Sequence, residues 1–209
     1  MRKLSMFIVM LGLVAASAGV AFAQGGTLFA GYSFEQDNVQ SGVGLHGYNA
    51  SGTFDLNRII AIEGNLAGHH GNTVTASQSA PVGANTHKDD IFTYVFGPKL
   101  TYVAGPNKDF ELFGHFLIGG SNVHSSSQNS GSFGGASSSA SGSGFAFMTG
   151  GGLDWYHGTW GIRILEVDLV RTSVITMTSS CGGTCVQKVT GDSANNFRFS
   201  TGLLLHWGN

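Results

Sequence analysis

The stretch Asn195–Trp207, N-N-F-R-F-S-T-G-L-L-L-H-W, alternates between two kinds of side chain. From Phe197 onward the odd-numbered positions are mostly large and apolar, whereas the even-numbered positions are mostly small or polar and include Arg198. A period of two over this length predicts a β-strand, because successive side chains of a strand point to opposite faces. An aromatic-rich outer face opposite a small, charged inner face is typical of a strand in a membrane-spanning barrel.

The first 23 residues predict a cleaved secretory signal peptide. Arg2 and Lys3 form a positively charged start, Met6–Val14 is apolar, and Ala21-Phe22-Ala23 has the A-x-A pattern of a cleavage site. We therefore expect residues 24–209 to form the mature protein as one domain.

The composition favours a membrane barrel over an ordinary soluble domain. Charged residues make up 11% of the chain, and it holds 33 glycines against 3 prolines. Soluble domains usually carry about 25% charged residues. Beyond the signal there is no apolar run of about 18 residues, so the sequence predicts no membrane-spanning helix. The formal net charge of −2 gives no basis for nucleic-acid binding.

Seven further segments show the same alternation. They are Thr27–Glu35, Leu45–Leu56, Ile59–Gly68, Ile91–Ala104, Phe110–Gly120, Phe145–Trp155 and Trp160–Thr172. Short connections near Asn57, Gly105 and Gly158 alternate with longer ones, and we predict the Ser/Gly-rich stretch Asn122–Gly144 to be a flexible loop. The sequence thus predicts an all-β fold, an eight-stranded antiparallel up-and-down transmembrane β-barrel with both termini at the short-turn end.

Three stretches and the plan of the chain carry a family resemblance. The stretches are Phe96–Leu100 (F-G-P-K-L), Gly150–Asp154 (G-G-G-L-D) and Arg163–Thr172. Together with the signal peptide and the alternating connections, they resemble the small bacterial outer-membrane β-barrels, the class of the OmpA transmembrane domain. The resemblance implies a porin-like barrel in the outer membrane of a Gram-negative-type bacterium. Its partners would be outer-membrane lipid, lipopolysaccharide and the barrel-assembly machinery.

The inward faces of the predicted strands carry most of the charged residues. An eight-stranded barrel is just wide enough to be filled by side chains, so a water-filled channel is not expected. Buried charges must be paired, and we expect a lumenal ion-pair network of Glu63, Lys99, Glu166, Asp168 and Arg198. Counting residues from the short turns places Lys99 beside Glu63, and it places Arg198 beside Glu166 and Asp168.

Three residues stand outside this pattern. Arg163 falls on the apolar face by strict alternation, so we expect it at the membrane rim or beyond a β-bulge. Cys181 and Cys185 are the only cysteines and lie in a Gly-rich stretch. After export we expect them to form a loop disulfide rather than a zinc site, since no second Cys or His pair flanks them.

A structural or surface-interaction role is the favoured function, namely membrane integrity or contacts that the loops make with an extracellular partner. We expect a monomer, because a closed barrel has no free edge, and we expect no nucleic acid, no cofactor and no catalytic residues. The alternative is a small-conductance pore gated by the lumenal ion pairs. A soluble lipocalin-like barrel is disfavoured, because it would need the opposite polarity on its two faces.

Histidines and serines on the long-loop side suggest two more remote functions. His69, His70, His87 and His124 are metal-ligand types, but their spacing matches no ligand pattern, so we predict no metal site. An outer-membrane lipid-modifying enzyme would need a nucleophile and a base, for which the residue types are present: His124, Ser125–Ser127, and Asp89 or Asp90.

Overall fold

The described part of the chain forms nine β-strands, eight of which close into a barrel. The computed structural model describes residues 25–37, 44–77, 83–105, 109–131, 134–181, 183–189 and 192–208, and the predicted signal peptide lies outside them. The strands are β1 (Gly26–Asp37), β2 (Gly44–Asp55), β3 (Ile60–Ser77), β4 (Gly83–Ala104), β5 (Phe110–Gly131), β6 (Gly134–His157), β7 (Trp160–Cys181), β8 (Gly183–Val189) and β9 (Asp192–Trp207). Within these ranges there is no helix with the length and apolar character needed to cross a membrane.

All strand pairs of the barrel are antiparallel. The order around the ring is β6-β5-β4-β3-β2-β1-β9-β7, and pairing of β6 with β7 closes it. The seam between the first and last strands runs from Gly26 opposite Trp207 to Asp37 opposite Asn196. The short strand β8 pairs with the far end of β7 and extends a hairpin beyond the ring. The predicted eight-stranded antiparallel up-and-down barrel is confirmed.

Tight turns lie together at one end of the barrel. In the turn between β2 and β3, Asn57 Oδ1 accepts hydrogen bonds from the backbone N–H groups of Ile59 (2.9 Å) and Ile60 (2.8 Å). Between β6 and β7, Gly158 has φ of 67°, a left-handed conformation that two-residue hairpin turns require. The turn after Gly105 includes residues 106–108, which lie outside the described residues.

The outer face of the barrel is an apolar belt. Phe197, Phe199 and Leu203 on β9 are exposed, whereas Arg198 and Ser200 between them are buried. The same division holds on the other barrel strands. Large exposed side chains include Leu28, Tyr48, Leu66, Phe96, Tyr102, Leu112, Trp160 and Leu165. A continuous apolar surface of this kind is what a barrel presents to lipid, so the predicted facing of the strands is confirmed.

The hairpins at the opposite end contain more β-structure than predicted. β5 continues to Gly131 and β6 begins at Gly134, so the flexible loop predicted for residues 122–144 is wrong wherever the structure describes that stretch. Its serines and glycines pair across the hairpin through their backbones, for example Ser127 with Ser138. Alternating hydrophobicity marks a strand only where one face meets lipid. Beyond the membrane both faces meet water, while the backbone still has to be hydrogen-bonded.

Candidate functional site

Charged side chains fill the middle of the lumen. Eight of them are buried: Glu63, Lys99, His115, Asp154, Arg163, Glu166, Asp168 and Arg198. They come from six strands and point inward by the period of two. Charges buried in this way are tolerated only when they are paired and hydrogen-bonded. Each buried cation of the lumen therefore needs a carboxylate partner.

Arg198 on β9 joins two carboxylates of β7. Its Nη2 donates hydrogen bonds to Asp168 Oδ2 (2.6 Å) and Glu166 Oε1 (3.0 Å), and its Nε donates to Asp168 Oδ2 (3.0 Å). Its Nη1 donates to Asn65 Oδ1 on β3 (3.2 Å), across the lumen. The register places Arg198 directly opposite Asp168, and the structure thus brings together the three residues expected here.

Arg163 lies in the lumen and not at the membrane rim. Its Nε and Nη2 donate to the two carboxylate oxygens of Asp154 (2.8 and 3.0 Å), and its Nη1 donates to Glu166. A bulge between Arg163 and Glu166 in the pairing of β7 with β9 makes this position possible. Ile164 and Leu165 both point outward at the bulge, so the facing of β7 changes there. The rim alternative for Arg163 is wrong, and the bulge alternative is confirmed.

Two aromatic rings enclose the arginine at the short-turn side of the network. The guanidinium carbon of Arg163 lies 4.3 Å from the ring centroids of both Phe29 and Phe113. Lys99 Nζ lies 4.3 Å from the Phe113 centroid. Cations over aromatic faces are stabilised most when water is excluded, as it is here. The network is therefore bounded on this side by two apolar rings that lie against its cations.

The expected pairing of Lys99 with Glu63 is wrong. Lys99 Nζ lies 3.3 Å from Glu111 Oε1, and Glu63 pairs with His115. The register explains the difference, because Lys99 lies opposite Ala61 and not opposite Glu63. The long lysine side chain then reaches a carboxylate on β5, its other neighbouring strand.

His115 connects the two halves of the network. Its Nδ1 lies 3.1 Å from Glu63 Oε2, and its Nε2 lies 2.8 Å from Asp168 Oδ1. Only a protonated imidazole can donate a hydrogen bond from both ring nitrogens, which is what two carboxylates demand. His115 thus acts as a fourth cation beside Lys99, Arg163 and Arg198, and the chain of contacts runs without a break from Glu63 to Asp154.

The triple glycine of β6 makes room for this network. A side-chain carbon on Gly150 would lie 2.1 Å from Asp168 Oδ1, and one on Gly152 would lie 2.8 Å from the Phe113 ring. Glycine is therefore required by close approach of neighbouring groups. On the far side of the network, the lumen is filled by an apolar cluster: Val95, Leu117, Ala146, Met148 and Val170.

Solved structures share this fold, although no protein-family model and no curated protein matches the chain. Ail, the attachment invasion locus protein of Yersinia pestis, matches with a TM-score of 0.51 and 13% identity over 88% of this chain and 99% of its own. The chain folds as a small outer-membrane β-barrel. The outer membrane protein OprG from Pseudomonas aeruginosa matches with a TM-score of 0.50 and 10% identity over 90% of this chain and 97% of its own.

A second Ail structure, in complex with the heparin analogue sucrose octasulfate, matches with a TM-score of 0.50 and 15% identity. It covers 88% of this chain and 99% of its own. Identities this low show the fold alone, because unrelated functions are built on one fold. The function of this outer-membrane barrel has to be argued from its own residues.

One group of metal-ligand types within the barrel is already occupied by protein cations. Among the described residues, only His115, Glu166 and Asp168 bring three donor atoms within 4.8 Å of one another. Arg198 contacts both of these carboxylates, and Arg163 contacts Glu166. A metal ion would have to displace guanidinium groups that are themselves buried, so this trio belongs to the ion-pair network.

The residues suggested for nucleophilic chemistry do not form a catalytic arrangement in the barrel. His124 is exposed on the outer face, while Ser125, its neighbour in sequence, points the other way. Ser125 Oγ instead lies 3.3 Å from His87 Nε2, and Asp89 Oδ2 lies 3.1 Å from the same nitrogen. A triad needs the acid and the hydroxyl on different ring nitrogens.

The remaining predicted sites lie in the long hairpins. Cys181 ends β7 and Cys185 lies in β8, but the positions of their side chains are outside the described part of the structure, so the disulfide stays a prediction. His69 points into the lumen, where its Nε2 lies 2.8 Å from Ser33 Oγ and its Nδ1 lies 3.1 Å from Glu35 Oε2. Its neighbour His70 points outward, a difference between the two histidines that was not predicted from the sequence.

Sequence reasoning also missed the part that Arg163, Phe29 and Phe113 play in the network. Each carried a signal that could have been used. Arg163 broke the alternation, which indicates a bulge, and the two phenylalanines broke it by placing large rings on an otherwise polar face. Glycine triplets in a strand likewise indicate close approach of neighbouring side chains.

Proposed function

We propose that the protein is an integral outer-membrane barrel with a closed lumen and a structural and surface-interaction role. The observation that carries this proposal is the filled interior. Every cation of the central network contacts at least one carboxylate, and Arg163, Arg198 and His115 contact two each. Moving any of them would leave a buried charge unpaired, which costs several kcal/mol, about 3–5.

The apolar cluster supports a closed lumen independently of the charges. Leu117 and Val170 each lie two residues beyond a member of the network, on the long-hairpin side. Both are buried, as are Met148 and Ala146 between them. The cluster fills the β4–β7 side of the lumen, while Asn196, directly opposite Val170 on β9, is also buried and donates a hydrogen bond to Glu35. Eight strands leave little space for both side chains and water.

The long hairpins support a surface role. Short turns face the periplasm and long connections face outward in barrels of this kind. The hairpins of β3 with β4, β5 with β6 and β7 with β8 would then project from the cell surface. Sucrose octasulfate is bound by Ail in the complex described above, and that binding is a property of Ail. Residues 122–144 of this chain contain no Lys or Arg, so their charge gives no reason to expect the same ligand.

Single-channel recording on the purified protein in planar bilayers tests the closed lumen. We expect negligible conductance from the parent protein and from Arg171→Ala, whose exposed side chain lies outside the lumen. Discrete conductance steps in the parent, altered in Lys99→Ala or Arg198→Ala, would contradict the proposal and favour the small-conductance pore gated by lumenal ion pairs.

A further inference from the structure

A row of polar side chains crosses the outer face of the barrel beside its aromatic belt. His46 on β2 lies opposite His70 on β3, His70 lies opposite Asp90 on β4, and Asp90 lies opposite His124 on β5. All four side chains are exposed, while the neighbouring His69 is buried in the lumen. Residues far apart in the sequence thus form one line on the outer surface, which we call the histidine row.

The histidine row lies at the outer edge of the lipid belt. The adjacent outward row on the membrane side contains Tyr48 opposite Gly68 and Gly68 opposite Phe92. Aromatic side chains of this kind mark the membrane–water interface of a barrel. The long hairpins begin immediately beyond the histidine row, so the row is placed at headgroup level and can be reached from water.

Hydrogen bonds already orient two of the imidazole rings. His70 Nδ1 lies 2.5 Å from Asp90 Oδ1. An ionised carboxylate only accepts hydrogen bonds, so Nδ1 donates, and the Nε2 of a neutral ring keeps its lone pair. His46 Nδ1 is hydrogen-bonded to the Tyr32 hydroxyl, which can accept in the same way. Metal-ligating histidines almost always have their second nitrogen held by such an oxygen.

We propose that His46 and His70 form a cross-strand site for an imidazole-preferring divalent transition cation such as Zn²⁺ or Cu²⁺. Directly opposed residues of antiparallel strands have Cβ atoms about 4.5–5.5 Å apart, a spacing that lets two imidazoles share one ion. Asp90 orients His70, and His124 stands at the end of the row. Among the described residues, only His115, Glu166 and Asp168 have three donor atoms within 4.8 Å of one another. Binding of an ion by His46 and His70 therefore requires their exposed side chains to rotate toward each other.

The charge of the row favours a cation over an anionic headgroup. Neutral imidazole supplies a lone pair and no positive charge, and Asp90 adds a negative charge at the centre of the row. A phosphate at this position would meet that carboxylate, although Lys88 lies two residues away on the same strand face. His46 and His70 are neighbours across strands and not along the chain, so their spacing in the sequence matches no metal-ligand pattern.

Titration of the untagged full chain in phosphatidylcholine vesicles with Zn²⁺ alone tests the site. We expect one tight site per chain, lost in His46→Ala and in His70→Ala. Asp90→Asn should weaken binding by about 10–100-fold, because it removes the oxygen that orients His70. With Cu²⁺ as the probe, electron paramagnetic resonance should show coupling to two nitrogen donors in the parent, and this two-nitrogen signal should be absent from either histidine variant.

His157→Ala is the matched control, since His157 is an exposed histidine at the opposite end of the barrel. It should bind Zn²⁺ as the parent does, and heat-modifiable gel mobility will show that each variant is folded. Equal Zn²⁺ affinity in the parent and in folded His46→Ala and His70→Ala would overturn the proposal. So would an equal loss in His157→Ala, or binding of inorganic phosphate in place of Zn²⁺.

Discussion

Glu166 is shared by the two buried arginines of the lumen. Its Oε1 accepts from Arg198 Nη2 at 3.0 Å, and its other oxygen accepts from Arg163. Asn49 Nδ2 also lies 3.3 Å from Oε1, so the carboxylate is held from three sides. Buried ion pairs contribute little net stability when they form, because desolvation offsets the attraction. Their loss is costly, since the remaining partner stays buried and unpaired.

Replacing Arg198 by alanine tests this at the residue scale. Arg198→Ala leaves Asp168 and Glu166 with one fewer cation, and we expect it to lower the free energy of unfolding by about 3–5 kcal/mol. Urea titration in lipid vesicles, followed by tryptophan fluorescence, measures the change. Arg171→Ala removes an exposed guanidinium from β7 and should change the same quantity by less than about 0.5 kcal/mol. Similar losses in the two variants would show that the buried ion pairs of Arg198 contribute no more to stability than an exposed arginine does.

At the scale of the element, the outward side chains of β7 change from even-numbered to odd-numbered positions at the bulge. Below the bulge Ile162 and Ile164 point outward, and above it Leu165 does so instead. The pairing with β6 shows the same bulge, since Leu153 lies opposite Leu165 while Asp154 lies opposite Arg163. One extra residue therefore turns Arg163, Glu166 and Asp168 toward the same lumen. Without it, either the arginine or the two carboxylates would face lipid.

The seam between β1 and β9 depends on a close approach of two glycines. Gly31 lies opposite Gly202, and a side-chain carbon on Gly31 would lie 2.1 Å from the carbonyl oxygen of Thr201. By contrast, a side-chain carbon on Gly64 of β3 would meet nothing within 4 Å. The two positions therefore form a matched pair for testing closure of the barrel.

We expect Gly31→Leu to destabilise the barrel by about 1–3 kcal/mol, because overpacking forces the two strands apart. Gly64→Leu adds an apolar side chain to the lipid face and should leave stability close to that of the parent. Heat-modifiable gel mobility and urea midpoints in vesicles give the comparison. If Gly64→Leu proved the more damaging change, the seam would not be the constrained part of the ring.

At the scale of the whole molecule, the barrel is asymmetric along its axis. Tight turns and both ends of the described chain lie at one end, and extended hairpins lie at the other. The ionic layer is nearer the turns, and the apolar cluster is nearer the hairpins. Barrels of this kind have their short turns at the periplasmic side, so we expect the hairpins to lie toward the cell surface.

Epitope insertion tests that direction. A tag inserted after Gly131, at the end of β5, should be labelled by antibody on intact cells, since exposed hairpin ends tolerate insertions. A tag inserted after Gly158, in the short turn between β6 and β7, should be labelled only after the outer membrane is permeabilised. If only the tag after Gly158 were labelled on intact cells, the barrel would have the opposite orientation in the membrane.

Alternation along the sequence by itself determined the number of barrel strands, their inward and outward faces and the positions of the short turns. It also placed Arg198 near Asp168, because both residues could be counted from the turns that flank their strands. These properties are local or nearly so. The side-chain period of a strand and the tendency of Asn57 and Gly158 to form turns act over a few residues.

Only the tertiary structure decided the face of Arg163, the partner of Lys99, the length of the outer hairpins and the alignment of His46 with His70. Each depends on pairing between residues that are distant in the chain. A bulge shifts every side chain beyond it, and cross-strand register selects which charges meet. Hairpins surrounded by water need no apolar face at all, so their sequence carries no period by which they could be recognised.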